Sequence, residues 1–198
     1  MASGYTRRRS PGSGGTHGTQ SPQGKETGAF DAALGLVGTA EAGDETYLTA
    51  WGAAVNTGHL AGRNLLPEIC CAVRVLPLPP GEPRPLDLLL EGLALLTTDG
   101  RSAATPTLQR AATMIISIPV EDVLRWGWAA AAASGAVWDP EGMDAISARN
   151  VQLIRDAGPL AELPQPLTSL GPARAWMGDF AGATSLVAEA ERAGGGDH

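Results

Sequence analysis

The chain has 198 residues, is 43% hydrophobic but only 5% aromatic, and carries a formal net charge of −7. An acidic chain of this kind has no general attraction for nucleic acid or anionic membrane. Ala, Leu and Gly supply most of the apolar content, which suits closely packed helices better than a β-sandwich built on Val, Ile, Thr and aromatics.

Residues 1–27 are Gly, Ser, Thr, Arg and Gln with almost nothing to bury, so the sequence predicts a disordered, low-complexity tail. Arg7-Arg8-Arg9 has no apolar run after it and completes neither a secretory nor a twin-arginine signal. Gly24-Lys25-Glu26-Thr27 resembles the end of a phosphate loop but puts Glu26 where the Mg-binding hydroxyl belongs, and no apolar strand precedes it. The repeat region is expected over 28–193, with a frayed tail over 194–198.

The first helix candidate is Phe30–Ala40. Asp44–Ala61 follows, with Asp44 as N-cap and Tyr47, Leu48, Trp51, Ala54 and Val55 on one face. Pro67–Leu76 is the third, carrying Ile69, Cys70, Val73 and Leu76. Cys70 and Cys71 are the only cysteines; as chain neighbours they do not readily bridge, and they read as two small buried hydrophobes in a reduced, cytoplasmic setting. The prolines between Pro77 and Pro85 make an extended connector.

Leu86–Thr97 shows a broad stripe of Leu86, Leu89, Leu90, Leu93 and Leu96, closed by Asp99-Gly100. Ser102–Ile116 follows and tolerates Pro106 only if that proline lies in its first turn. Val120–Trp138 opens with Glu121 and Asp122, where the helix dipole favours acids, and carries Leu124, Trp126, Trp128 and an alanine run. Within it Trp126–Trp138 is the longest apolar run, and its 13 residues fall short of the ~18 of a membrane span. Asp139-Pro140 is the N-cap and first-position pair of a helix to Ala157, with Ile146, Leu153 and Ile154 buried. Leu160–Pro166 reads as a second proline-rich joint.

Leu170–Ala190 reads as two antiparallel helices. Gly171 marks a close crossing, Gly178-Asp179-Phe180 a tight turn, and Ala183, Val187 and Ala190 one helix face. Pro172 should kink or restart the first of the two helices. Seventy-nine positions earlier the same places hold Gly92, Ala94, Asp99-Gly100-Arg101, Ala104, Leu108 and Ala111. Half that spacing falls within the ~34–47-residue periods of helical-hairpin arrays, and a third copy is expected at Gly52 with a turn at Thr57-Gly58-His59. The predicted fold is therefore all-α: tetratricopeptide-like antiparallel hairpins stacked as a short α-solenoid.

No catalytic set assembles. His17, His59 and His198 are the only histidines, and no HExxH, CxxC or complete phosphate loop is present. No catalytic, cofactor or metal residue is assigned. A concave surface between helix pairs would bind a protein or peptide partner, or a small effector, with Tyr47, Trp51, Arg125, Trp128 and Arg149 as groove candidates. Neither direct nucleic-acid binding nor membrane association is expected. Two further readings are a small enzyme using the acids near Glu121 or Asp139, and a gene remnant whose exposed apolar face predicts poor solubility.

The stretches ETYLTAWGAAVNTGHLA (45–61), RPLDLLLEGLALLTTDG (84–100), LRWGW, VWD and ARNVQLIRDAG (within 124–158) and the hairpin at 170–190 occur in an order that resembles one family. It is that of the large ATP-binding LuxR-type transcriptional regulators of actinobacteria, with a MalT-like helical-repeat region. The resemblance spans about 44–193 and implies a sensor or scaffold region set between an NTPase module and a helix-turn-helix. No residues here match either module, so ATP and DNA binding do not carry over. Pro166 and Pro172 depart from the pattern, and the unrelated low-complexity start suggests a truncated reading frame.

Overall fold

The computed structural model describes residues 43–57, 64–77, 81–157 and 160–194. The helix expected at Phe30–Ala40, the turn at Gly58-His59, all three histidines and both tails beyond Gly194 and before Gly43 lie outside the described residues. The described chain is helical, with no strand among the described residues. Its helices are α1 (Asp44–Thr57), α2 (Leu65–Arg74), α3 (Pro85–Thr98), α4 (Arg101–Ile115), α5 (Val120–Ala136), α6 (Pro140–Ala157), α7 (Pro164–Trp176) and α8 (Phe180–Gly194), with a 3₁₀ turn at Leu160–Glu162 before α7.

Each helix packs on the next, most extensively within the pairs α3–α4, α5–α6 and α7–α8. Second neighbours touch as well: α1 with α3, α3 with α5, α5 with α7, and α4 with α6. The odd helices α1, α3, α5 and α7 thus form one row, against which the even helices pack. The main core runs from Tyr47 and Leu48 through Leu89, Leu93, Leu108 and Ile115 to Trp126 and Ile146. A second cluster of Val151, Ile154, Leu163, Leu167 and Leu170 joins α6 to α7.

The small residues stand where the hairpins close. A Cβ on Gly92 would fall 2.6 Å from Leu108 Cγ, so no larger residue fits without moving that leucine. Gly171 occupies the matching place one double period on, and its nearest neighbour is Val187 Cγ2, which matches Leu108. The predicted third copy departs from this rule. Gly52 faces the Trp128 ring on α5, 2.9 Å from where its Cβ would stand, rather than the following helix.

The prolines correct four expectations. Pro67 is the third residue of α2, not its opening residue. Pro106 is in the second turn of α4, and α4 runs through it. Pro172 neither ends nor restarts α7, which is continuous from Pro164 to Trp176. The lost N–H in each case frees the carbonyl four residues back, on Ser102 and Thr168, and both of those residues are exposed to water. Leu160–Pro166 is only half a joint: α7 starts at Pro164, whose missing N–H would have had no partner there anyway.

Two smaller corrections concern side chains. Cys70 is buried but Cys71 is exposed, because α2 buries only one face. Helix α5 ends at Ala136, leaving Trp138 in the turn beyond it. On α4 and α6 the last turns bury Ala112, Ile115, Val151 and Ile154. At the matching places α8 exposes Glu191 and Gly194.

Candidate interaction surface

The three hairpin turns follow one rule. Each needs a residue in the left-handed region to reverse the chain, and Gly100 (φ 88°) and Gly178 (φ 90°) supply it. The middle turn puts Trp138 in that seat, at φ 60°. A bulky residue there is strained by about 1–2 kcal/mol relative to glycine. Directly afterwards, Asp139 Oδ1 accepts the Gly142 N–H at 3.0 Å and Asp179 Oδ1 accepts the Gly182 N–H at 2.9 Å. These N-caps start α6 and α8, and the glycine at each leaves room for the carboxylate, which would have to shift if a Cβ stood there.

This seating turns aromatic rings outward. Trp138 is 61% exposed, Phe180 70%, Trp176 48% and Met177 40%. Trp138 and Trp176 lie in contact, ring centres 5.3 Å apart and tilted by 51°. The Arg101 guanidinium, from the first turn, rests 5.5 Å from the centre of the Trp138 ring. Arg174 pairs with Asp144 and reaches Asp179 at 4.0 Å. The result is a ledge of exposed rings along the turn edge, with Asp139 and Asp179 beside it. Exposed side chains of this size present about 450 Å² of apolar surface, a patch large enough to mark a contact site.

The five residues singled out in the sequence fall differently. Tyr47 and Trp51 are buried, at 1% and 8%, and belong to the core. Trp128 is half-buried and stacks on Trp51 with ring centres 6.2 Å apart. Arg125 is exposed and pairs with Glu45 at 2.7 Å. These four meet where α1 reaches α5. Arg149 is on α6, half-buried, and its Nε has no hydrogen-bond partner. The residues missed were Trp138, Trp176 and Phe180. Their signal was position: Trp138 is in a turn, and Trp176 and Phe180 are the last and first residues of α7 and α8, where a side chain has little helix face to bury it.

Glu121 opens α5 and Asp139 stands past its far end, about 25 Å away for a helix of this length. They do not converge, and Asp139 is engaged as a cap. Among the described residues no cluster of three or more metal-ligating side chains occurs, and no helix is long and apolar enough to cross a membrane. An open cleft of about 530 Å³ lies between the 3₁₀ turn and the end of α8, lined by Leu160, Leu163, Glu189 and Arg192. Burial pushes the Cys70 thiol above its ordinary pKa, offset in part by a hydrogen bond with the Thr97 side chain.

In the middle hairpin the buried positions turn polar. Ser147 and Asn150 take the places of Leu108 and Ala111 in one neighbour and Val187 and Ala190 in the other. Both are buried, and Ser147 Oγ and Asn150 Oδ1 have no partner. Gly127 admits the Asn150 amide, whose Nδ2 would lie 3.1 Å from a Cβ there.

No family model matches the chain, and neither a curated protein nor a solved structure matches it.

Proposed function

We propose that this chain is a non-catalytic helical-repeat module: tetratricopeptide-like hairpins stacked as a short α-solenoid that binds a protein or peptide partner. The observation that carries the reading is the repeated closure of the hairpins, Gly92 on Leu108 and Gly171 on Val187, seventy-nine positions apart. Apart from the reach of α1 to α5, such a stack is held by contacts between neighbouring hairpins, so its turn edge stays free for docking. The turn-edge ledge, rather than the buried Tyr47 and Trp51, is the binding surface in this reading, because its rings are exposed at an energetic cost to the Trp138 backbone.

The sequence resemblance supports reading the module as the sensor or scaffold region of a LuxR-type, MalT-like regulator. ATP hydrolysis and DNA contact then belong to other modules, and partner binding biases them by favouring one arrangement of the assembly.

The test is a photo-crosslinking residue at Phe180 of the full chain in its native cells. The expected result is an adduct with one discrete second protein, weakened by Trp138→Gly, which removes the ring while relieving the strained φ. Sequencing of the captured protein is expected to find an NTPase or helix-turn-helix module. Absence of any intermolecular adduct contradicts the interaction reading. A partner with neither module contradicts the regulator assignment.

A further inference from the structure

The ledge has a candidate occupant within the same chain. Residues 1–25 carry Arg7, Arg8, Arg9 and Lys25 and no acid, whereas residues 43–198 hold 18 acids against 10 basic residues. We propose that the Tyr5–Pro11 segment, YTRRRSP, docks in cis on the ledge formed by Trp138, Trp176, Met177 and Phe180. The proposal rests on the ledge being a binding surface and names what regulates it.

Three observations favour this occupant. The chemistry is already displayed once, since Arg101 stacks its guanidinium on the Trp138 ring. Arginine is the side chain best suited to stack on an indole face while pairing with a nearby carboxylate; beside these rings stand Asp139, which caps α6 through Oδ1, and Asp179, which caps α8 and lies 4.0 Å from Arg174. Pro11, two residues after Arg9, adds a rigid apolar surface that packs on exposed aromatic rings.

Reach is the second point. Glu45 pairs with Arg125 and Trp51 stacks on Trp128, so α1 and α5 run in the same direction and Gly43 lies near the start of α5. The ledge is about 20 Å further along, at 1.5 Å per helical residue. The chain from Arg9 to Gly43 spans up to about 110 Å when extended.

The third point is what the ledge does not suit. A stable dimer needs about 800 Å² from each partner, nearly twice this patch. Two copies would also bring together chains of net charge −7. A short basic segment needs less area and is attracted.

Limited trypsin digestion of the full chain tests this directly. Cleavage at Arg7–Arg9 is expected to be at least tenfold slower in the natural chain than in Trp138→Gly, and to speed up in high salt. Equal rates in the two proteins overturn the proposal. Protection that rises with protein concentration also overturns it, because a second copy is then the occupant. A complementary variant leaves the helical body untouched: Arg7→Gln, Arg8→Gln, Arg9→Gln. Iodide quenching of tryptophan fluorescence, which reads mainly the exposed Trp138 and Trp176, is expected to rise about twofold in it. Unchanged quenching overturns the proposal, and quenching that falls only when a separate Arg-rich peptide is added assigns the ledge to a partner in trans. Neither readout depends on the crosslinked adduct that tests the interaction reading, so each can fail alone.

Discussion

The middle hairpin and its two neighbours solve one packing problem with different residues. In α3–α4 and α7–α8 a glycine meets a branched aliphatic side chain, and the next position on the face is alanine. In α5–α6 the corresponding face is Ser147 and Asn150, buried with unpartnered oxygens. The middle turn likewise holds a tryptophan where the others hold glycine. The outer hairpins follow the packing rule, while the middle one departs from it in its core and at its turn. Burying polar atoms without partners costs about 1–3 kcal/mol each, so the departure is not neutral.

The comparison breaks first at the glycines. Gly92→Val should destabilise the protein by about 3 kcal/mol in urea unfolding, because Leu108 already fills the space. Gly171→Ala is predicted to be neutral or to stabilise by up to about 1 kcal/mol, since its nearest neighbour is at an ordinary 3.8 Å. Opposite signs at equivalent places would show how much tighter the first closure is.

The middle hairpin can be rewritten with its neighbours' residues. Ser147→Val with Asn150→Ala is predicted to raise stability by about 2 kcal/mol, read as a melting temperature several degrees higher. Trp138→Gly should change stability by less than about 1 kcal/mol, because relief of the positive φ offsets the lost contact with Trp176. A large loss there would mean that the ledge holds the fold together.

The smallest effects are local. Arg155→Ala should cost about 0.5 kcal/mol and less in high salt, since its pair with Glu189 is partly exposed. Thiol titration should show Cys71 reacting at once and Cys70 only on unfolding. With the Cys70 pKa raised in the folded state, its contribution to stability is full below the unfolded-state pKa. That contribution is lost as pH rises through the higher folded value.

Much of the helical order was legible. Leucine spacing, Asp139-Pro140 and the Gly-Asp-aromatic turn each marked an element that the structure contains. The prolines misled because a sequence does not say which side of a helix faces water, and Pro106 and Pro172 are tolerated on the wet side. The site was less legible for the same reason. Tyr47 and Trp51 lie on a helix face and pack inward, while Trp138 and Phe180 lie at turns and stay out. Gly52 shows the limit of periodicity: it is a crossing residue, but its partner is four helices away.

The central claim is that the α3–α4 and α7–α8 hairpins close through a glycine against one branched side chain of the following helix. A double-mutant cycle of Gly92→Ala and Leu108→Ala, followed by urea unfolding, tests it. The account predicts strong coupling, with the double variant more stable than the sum of the singles by at least about 1.5 kcal/mol, because the added methyl fills part of the space the leucine leaves. Additive losses would contradict it, since the two residues would then not meet.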